Sequence, residues 1–163
     1  QMAATLQYLQ ENDLMEYEQL EKKATEAADR FNTLSDKIKT IEAAAHTNAD
    51  LMGATVDYAK SRVAFDGYEA AKYSRKYYAE HEANIELHRA ARATFQRILS
   101  GAKLPKMDVL KQERQRLTAE KRSAYKEYRA VRQDMQEVVT AKSNMDHLLL
   151  GLTDAQKNKE MER

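Results

Sequence analysis

Apolar residues recur at spacings of three and four along the first third of the chain. This spacing predicts a heptad seam, in which one narrow stripe of a helix faces a partner helix as in a coiled coil. Asn12 and Asp13 predict the helix start, so we expect a first arm over about residues 13–64. Asn48 falls on the seam and Gly53 lies near it, which predicts a local irregularity. The seam residues are Tyr17, Leu20, Ala24, Ala27, Phe31, Leu34, Ile38, Ile41, Ala45, Met52, Val56, Ala59 and Val63.

A second apolar stripe begins after the strongest break in the pattern, which contains Gly101 and Pro105. Gly101 is expected to cap the preceding helix, and Pro105 suits the start of the next one. We predict a returning arm over residues 106–150, ended by Gly151, and a frayed polar tail over residues 152–163. The stripe residues of the returning arm are Leu110, Leu117, Ala124, Tyr128, Val131, Met135, Val138, Met145 and Leu149, and the polar residues between them are Arg114, Lys121 and Lys142.

The stretch between the arms, residues 66–99, is denser and more aromatic. Asp66–Gly67 and Ser74 predict helix boundaries, with Ser74 as the N-cap of a short helical turn and a further helix over about residues 82–99. One face of this region carries Tyr77, His81, Ile85, His88, Arg92 and Phe95. We therefore predict an all-α fold in which residues 1–163 form a single helical domain. Its expected architecture is a long antiparallel coiled-coil hairpin with shorter helices packed at one end.

The composition agrees with long helices and a thin core. The chain has one proline, four glycines and no cysteine, and 33% of its residues are charged. The lack of cysteine excludes a disulfide scaffold, a cysteine-ligated zinc and a thiol nucleophile. No apolar run approaches a membrane span, and the N-terminus lacks the pattern of a signal peptide, so we expect a cytoplasmic protein without a membrane span. Gln1 in place of an initiator methionine predicts a fragment of a longer protein.

The net charge of +1 is unevenly distributed. Residues 1–50 carry 5 basic and 10 acidic side chains, residues 51–132 carry 18 basic and 10 acidic, and residues 133–163 carry 4 basic and 6 acidic. The basic middle can be the electrostatic footprint of an anionic partner. The acidic and basic stretches can equally face each other within one hairpin.

The sequence contains no motif for catalysis, metal binding or nucleotide binding. The four glycines never approach a phosphate-binding loop pattern, and no serine stands in a nucleophile elbow. His81 and His88 share a helix face near Glu80 and Glu82 and could ligate a metal, although packing and hydrogen bonding explain both imidazoles as well. We predict no catalytic residue, no metal and no cofactor.

Basic and tyrosine residues alternate through the middle of the chain, which suits nucleic acid. Phosphates attract Lys and Arg, and exposed bases can stack on Tyr. Tyrosines at helical spacing are also frequent core residues with the hydroxyl at the rim. The candidate DNA-binding residues are Lys60, Arg62, Lys72, Arg75, Lys76, Tyr78, Arg89 and Arg92.

The same stretch resembles the C-terminal helical region of relaxases, the mobilisation proteins of plasmids and integrative conjugative elements in Gram-positive, gut-type bacteria. The resemblance covers roughly residues 15–150. Its residues are Tyr73, Ser74, Lys76, Tyr78, His81, Ile85, His88, Ala90, Ala91 and Phe95, flanked by Tyr58, Lys60, Arg62, Leu104, Pro105, Ala124, Tyr125, Tyr128 and Arg129.

The resemblance implies a parent protein that nicks DNA with a tyrosine and a histidine-bound metal in an N-terminal nuclease domain. No tyrosine here matches that nucleophile, and the histidines do not form the H-x-H pattern of the metal site. We therefore expect a non-catalytic accessory domain that contacts transfer-origin DNA or relaxosome proteins. The alternative is a structural coiled coil that forms homo-oligomers or docks on a protein, without nucleic-acid contact.

Overall fold

Helices are the one type of regular secondary structure in the part of the chain that the structure describes. This computed structural model describes the backbone of residues 2–162 and the side chains of residues 16–151 and 154–162. The helices are α1 (Met2–Ala70), α2 (Arg75–Leu99) and α3 (Met107–Met161). The prediction of an all-α fold is confirmed.

The helix boundaries predicted for the first arm are wrong at both ends. Residues 12 and 13 lie inside α1, which begins at Met2. Asp66–Gly67 also lies inside α1, which continues to Ala70. A residue type that favours helix caps, or a single glycine, lowers the stability of a helix interior only slightly. Neither asparagine, aspartate nor glycine therefore ends a helix by itself.

The predicted end of the returning arm is wrong for the same reason. Gly151 lies within α3, and the tail that was expected to fray is helical as far as Met161. The last predicted tail residue, Arg163, lies outside the described residues. The predicted start of this arm agrees with the structure, because α3 begins at Met107.

The turn between α1 and α2 has the cap that the sequence predicts. Ser74 is the N-cap of α2, and its hydroxyl accepts a hydrogen bond from the Tyr77 amide at 3.4 Å. His81 has non-helical dihedrals (φ −129°, ψ 21°) and therefore separates a short first turn from the rest of α2. Lys72 and Tyr73 precede the cap with φ values of 57° and 60°.

The C-cap of α2 is Ser100 rather than the predicted Gly101. Ser100 adopts the left-handed conformation (φ 48°, ψ 43°), and its amide donates to the Gln96 carbonyl. Gly101 follows with φ 89°, where the absence of a Cβ is favourable. Two consecutive residues of positive φ thus turn the chain away from the helix.

The helices contribute to two compact units, residues 1–38 with 123–163 (unit 1) and residues 39–122 (unit 2). In unit 1, Phe31 contacts Tyr128 with 5.1 Å between ring centroids. Ala27, Leu34 and Ala124 are buried there. The prediction of a single domain stays a prediction.

Unit 2 contains parts of all the helices. Asn48 is buried in α1, and its Nδ2 donates to the Leu110 carbonyl of α3 at 3.0 Å. Lys121 pairs with Glu42 at 3.9 Å, so residue numbers rise along α1 as they fall along α3. The core of unit 2 consists of Ile41, Leu51, Ala54, Phe65, Tyr68, Ile85, Ala91, Leu110 and Leu117.

The second half of the predicted α1 seam is wrong. Val56 is 44% exposed and Val63 is 82% exposed, whereas Ser61 and Phe65 are buried. The reason is a change of partner. Because α3 begins at Met107, it reaches only the earlier part of α1 in unit 2, and beyond that point α2 covers a different side of α1.

Candidate nucleic-acid interface

The predicted interface surrounds an aromatic cluster, which we define as Tyr58, Phe65, Tyr68, Tyr77, Tyr78 and His88. Phe65 and Tyr68 are buried together with Ile85, and Tyr77 and Tyr78 pack against them. These residues belong to the last turns of α1 and the first half of α2. The tyrosines of this cluster therefore act mainly as core residues rather than as open stacking platforms.

His88 lies between two aromatic rings of α1. Its imidazole stacks on Phe65, with ring centroids 4.2 Å apart and an interplanar angle of 16°. The Tyr58 ring lies 4.6 Å away at an interplanar angle of 30°. His88 is only 3% exposed, so the stack removes it from solvent.

The hydrogen bonds around Ser61 indicate which nitrogen of His88 carries the proton. Ser61 Oγ lies 2.6 Å from the Asp57 carbonyl, to which it donates its single proton. His88 Nδ1 lies 3.2 Å from the same Oγ and therefore acts as the donor. The pairing links α1 and α2 through a neutral imidazole.

Burial lowers the pKa of His88 below its ordinary value, and the nearby Arg92 lowers it further. Asp66 and Glu69 act in the opposite direction but do not reverse the shift. The folded protein thus holds His88 neutral at a pH where an unfolded chain begins to protonate it. His88 is a packing residue that resists charging.

Acidification is expected to destabilise the protein through His88. The unfolded state takes up this proton near a pH of about 6.5, whereas the folded state takes it up only at lower pH. The stability contributed by neutral His88 is therefore full above that pH and is lost as the pH falls through the lowered folded-state pKa. Urea unfolding at pH 8 and at pH 5.5 measures the difference, which should be smaller in His88→Gln than in the wild type.

The matched control is His147→Gln, because His147 is exposed in unit 1. This variant should keep the pH dependence of the wild type. If His88→Gln and His147→Gln flatten the dependence equally, the stacked imidazole is not its source.

Half of the predicted DNA-binding residues already contact groups of the protein. The Tyr78 hydroxyl and Arg89 Nη1 each donate to Glu86 Oε1 at 2.9 Å. The Arg89 guanidinium also lies over the Tyr68 ring at 5.7 Å. The hydrogen bond from the Tyr78 hydroxyl to Glu86 raises the pKa of that hydroxyl.

Arg62 and Arg92 are the other two predicted DNA-binding residues that contact groups of the protein. Arg62 pairs with Asp66 at 3.8 Å along one face of α1. Arg92 lies 6.0 Å from the Phe65 ring centroid and is exposed on its outer side. Both charges are accessible, although each has a nearby group that competes weakly with a phosphate.

The remaining predicted residues are exposed cations. Lys60 lies on α1, Lys72 lies in the turn that follows α1, and Arg75 and Lys76 lie in the first turn of α2. We call these last three the turn cations. No carboxylate among the described residues forms an ion pair with any of them. They are the part of the predicted interface best placed to meet an external anion.

The histidines do not form a metal site in the described part of the chain, where no cluster of ligand-type residues occurs. His81 Nδ1 lies 3.1 Å from the Tyr77 carbonyl, which can only accept a hydrogen bond. The His81 ring also stacks on Tyr77 at 4.1 Å. Both His81 and His88 thus have contacts within the protein, as their packing interpretation proposes.

A basic groove lies between α1 and α3 and was not predicted from the sequence. The groove has a volume of about 470 Å³, and Met52 lies on its α1 side. Lys111, Arg114 and Arg122 line its α3 side and are exposed. The available signal in the sequence was their spacing on α3, since Arg114 and Arg122 follow Lys111 after three and eleven residues.

Comparison of the chain with known protein families, with curated proteins and with solved structures gave no match. The resemblance to the relaxase region therefore rests on the residues quoted for it in the sequence. The exposed cations indicate an anionic partner independently of this resemblance, because that inference depends only on their charge and position.

Proposed function

We propose that this chain is a non-catalytic accessory helical domain of a conjugative relaxase, which contacts the DNA backbone through the turn cations. The observation that carries the proposal is the exposure of Lys72, Arg75 and Lys76 where the chain enters α2, without an ion pair to a carboxylate among the described residues. Lys60 adds a further exposed charge on α1. The basic excess of residues 51–132 supports an anionic partner.

The proposed mechanism is charge neutralisation and positioning. Lysine and arginine side chains at phosphates release counterions and fix the orientation of a duplex, but they do not read its sequence. Tyr78 and Arg89 have a different role in this proposal, because their hydrogen bonds to Glu86 join the first turn of α2 to the part of α2 beyond His81. Binding should therefore depend on salt and little on base sequence.

The backbone of the turn supports this choice of surface. Lys72 and Tyr73 both have positive φ, which costs a residue other than glycine about 1 kcal/mol or more. Such strained positions concentrate where a protein presents side chains to a partner. This backbone conformation places Lys72 just before the first turn of α2, which carries Arg75 and Lys76.

The proposal includes an antiparallel coiled-coil arrangement of α1 and α3 as a spacer. The contacts of Asn48 with Leu110 and of Glu42 with Lys121 support it within unit 2. Within unit 1, the Tyr17 hydroxyl bonds to Asp146, and this bond raises the Tyr17 pKa. The ring contact between Phe31 and Tyr128 agrees with the same antiparallel direction of α1 and α3. A buried asparagine such as Asn48 typically fixes the register of such a pair.

Removal of the turn cations is expected to weaken DNA binding uniformly across sequences. The triple variant Lys72→Ala, Arg75→Ala, Lys76→Ala should lower the slope of log affinity against log salt by about 3, because each phosphate contact contributes about 0.9. Fluorescence anisotropy with labelled duplexes of two unrelated sequences, titrated at several salt concentrations, measures the slope.

The matched control removes the same charge from unit 1 through Lys126→Ala, Arg129→Ala and Lys142→Ala. These side chains belong to the stretch of α3 beyond residue 122. This control should retain most of the affinity and nearly the full salt slope. Equal losses in both variants would indicate attraction by net charge alone and would contradict a defined interface.

A further inference from the structure

α1 has an apolar stripe that no helix of the described chain covers beyond Met52. We define the apolar stripe as Met52, Val56, Ala59 and Val63, which recur at spacings of three and four and so share one face of α1. Val63 is 82% exposed and Val56 is 44% exposed. A valine with most of its surface in water in the middle of a long helix marks a face that lacks a partner.

The apolar stripe continues an interface that already exists. Ile41 is buried in α1, and steps of four, three and four residues from Ile41 through Ala45 and Asn48 to Met52 keep it on the same face as the stripe. α3 leaves this face uncovered further along because it begins at Met107, close to the level where Leu110 bonds with Asn48. A helix on the stripe would therefore extend the packing that α3 provides up to that level.

The basic groove meets the apolar stripe at Met52, which belongs to both. On the α3 side, the groove presents Lys111, Arg114 and Arg122, and no acidic residue lines it. No ion pair joins any of these cations to a carboxylate of the described chain. A partner that fills the groove must supply the negative charge.

This charge pattern decides between the possible occupants. A second copy paired through a twofold axis would bring the same surface, which offers the groove cations no carboxylate. DNA would satisfy the cations but would leave the valines of the stripe in water. An acidic amphipathic helix satisfies both, because its apolar face covers the stripe and its carboxylates meet the cations.

We infer that the apolar stripe and the basic groove form one docking surface for an acidic amphipathic α-helix of a partner protein. Residues 111–122 and 52–63 each span about 16 Å along their helices at a rise of 1.5 Å per residue. A partner helix of about 22 residues would cover both parts. The inference does not depend on the proposed DNA contact, which uses the turn cations.

The test uses a synthetic 22-residue peptide of heptads with Leu at positions a and d and Glu at e and g, carrying a fluorescent label. A second peptide has Lys in place of every Glu. Anisotropy titrations with the whole chain should show binding of the Glu peptide at least tenfold tighter than that of the Lys peptide. Equal binding of the two peptides, or no binding of the Glu peptide, would overturn the inference.

Two variants separate the apolar part from the basic part. Val56→Ser with Val63→Ser should weaken Glu-peptide binding at least tenfold, without loss of helix content in circular dichroism, because both valines are exposed. Lys111→Glu with Arg114→Glu and Arg122→Glu should reverse the preference in favour of the Lys peptide. Unchanged binding by either variant would contradict the docking surface.

Matched controls lie on α3 in unit 1. Val139 is 53% exposed, and Val139→Ser should leave peptide binding unchanged. Lys126→Glu with Arg129→Glu and Arg132→Glu makes the same change of charge and should keep the preference for the Glu peptide. The Ala variant of the turn cations should bind the peptide as the wild type does, so that failure of the DNA proposal is distinguishable from failure of this one.

The other occupants give different results. A concentration-dependent dimer in light scattering that Val56→Ser with Val63→Ser abolishes would replace the partner helix with a second copy. Competition of duplex DNA with the Glu peptide, relieved by the Glu variant of the groove, would replace it with nucleic acid. Either result overturns the inference as stated.

Discussion

Replacement of Gly67 by alanine is expected to destabilise the protein by about 2 kcal/mol, although alanine is the better helix former. Gly67 lies within α1, and a Cβ at this position would lie 2.9 Å from Cζ of Tyr77 and still closer to the Tyr77 hydroxyl. That hydroxyl donates to the Ala64 carbonyl at 2.8 Å, which fixes the ring against the helix. The alanine methyl group must therefore displace Tyr77 from the aromatic cluster.

Gly53→Ala is the matched control, because Gly53 is also in α1 and a Cβ there meets nothing within 4 Å. The free energy of unfolding of this variant should rise by about 1 kcal/mol, because alanine has the higher helix propensity. In a Tyr77→Ala background, Gly67→Ala should become neutral or stabilising. Urea unfolding of these variants forms a double-mutant cycle, and a coupling near zero would contradict the role of the Tyr77 ring.

Gly67 also explains why one helix boundary was predicted wrongly. In the sequence, Asp66–Gly67 has the composition of a helix end, and the local pattern gives no reason to prefer another interpretation. The structure has a packing reason for the glycine instead, since Tyr77 approaches α1 from ten residues further along the chain. A contact of this kind depends on the fold and leaves no trace in local propensity.

The heptad spacing predicted the α1 and α3 faces correctly where those helices pack on each other. Leu34, Ile38 and Ile41 are buried as the seam predicts, and so are Leu110 and Leu117. Beyond Asn48 the same spacing continued to Val63, but the core moved to Phe65 and its neighbours. Periodicity identifies an apolar face, but it cannot say whether the helix that covers this face belongs to the same chain.

Residue spacing predicted which side chains of the candidate site share a helix face, but it could not predict their ion pairs. Spacing brought Ile85 and His88 to one face, and both are buried. It could not distinguish Arg89, which bonds to a carboxylate three residues earlier, from Arg75, which has no such bond among the described residues. Ion pairing depends on the direction of each side chain, whereas the sequence gives only the order of the charges.

Loss of the Phe65 ring is expected to have the largest effect of any single truncation in unit 2. Phe65→Ala should cost about 3–5 kcal/mol, as is usual for a buried phenylalanine. Phe65 is 7% exposed, and it contacts His88 on one face and Tyr68 at 6.2 Å between ring centroids. The same variant should admit water to His88 and move its pKa back toward the ordinary value, because burial is the main cause of the shift.

Val63→Ala is the matched control for Phe65→Ala, since it removes apolar atoms from the same helix at a position that is 82% exposed. It should change the free energy of unfolding by less than about 0.5 kcal/mol. A smaller truncation, Phe65→Leu, should keep the protein folded for an NMR titration of the His88 imidazole. If Phe65→Ala lowers the free energy of unfolding as little as Val63→Ala does, the stack does not hold α2 against α1. An unchanged pKa of His88 in Phe65→Leu would lead to the same conclusion. Both readouts test the same packing, which orients the turn cations and leaves the apolar stripe on the uncovered side of α1.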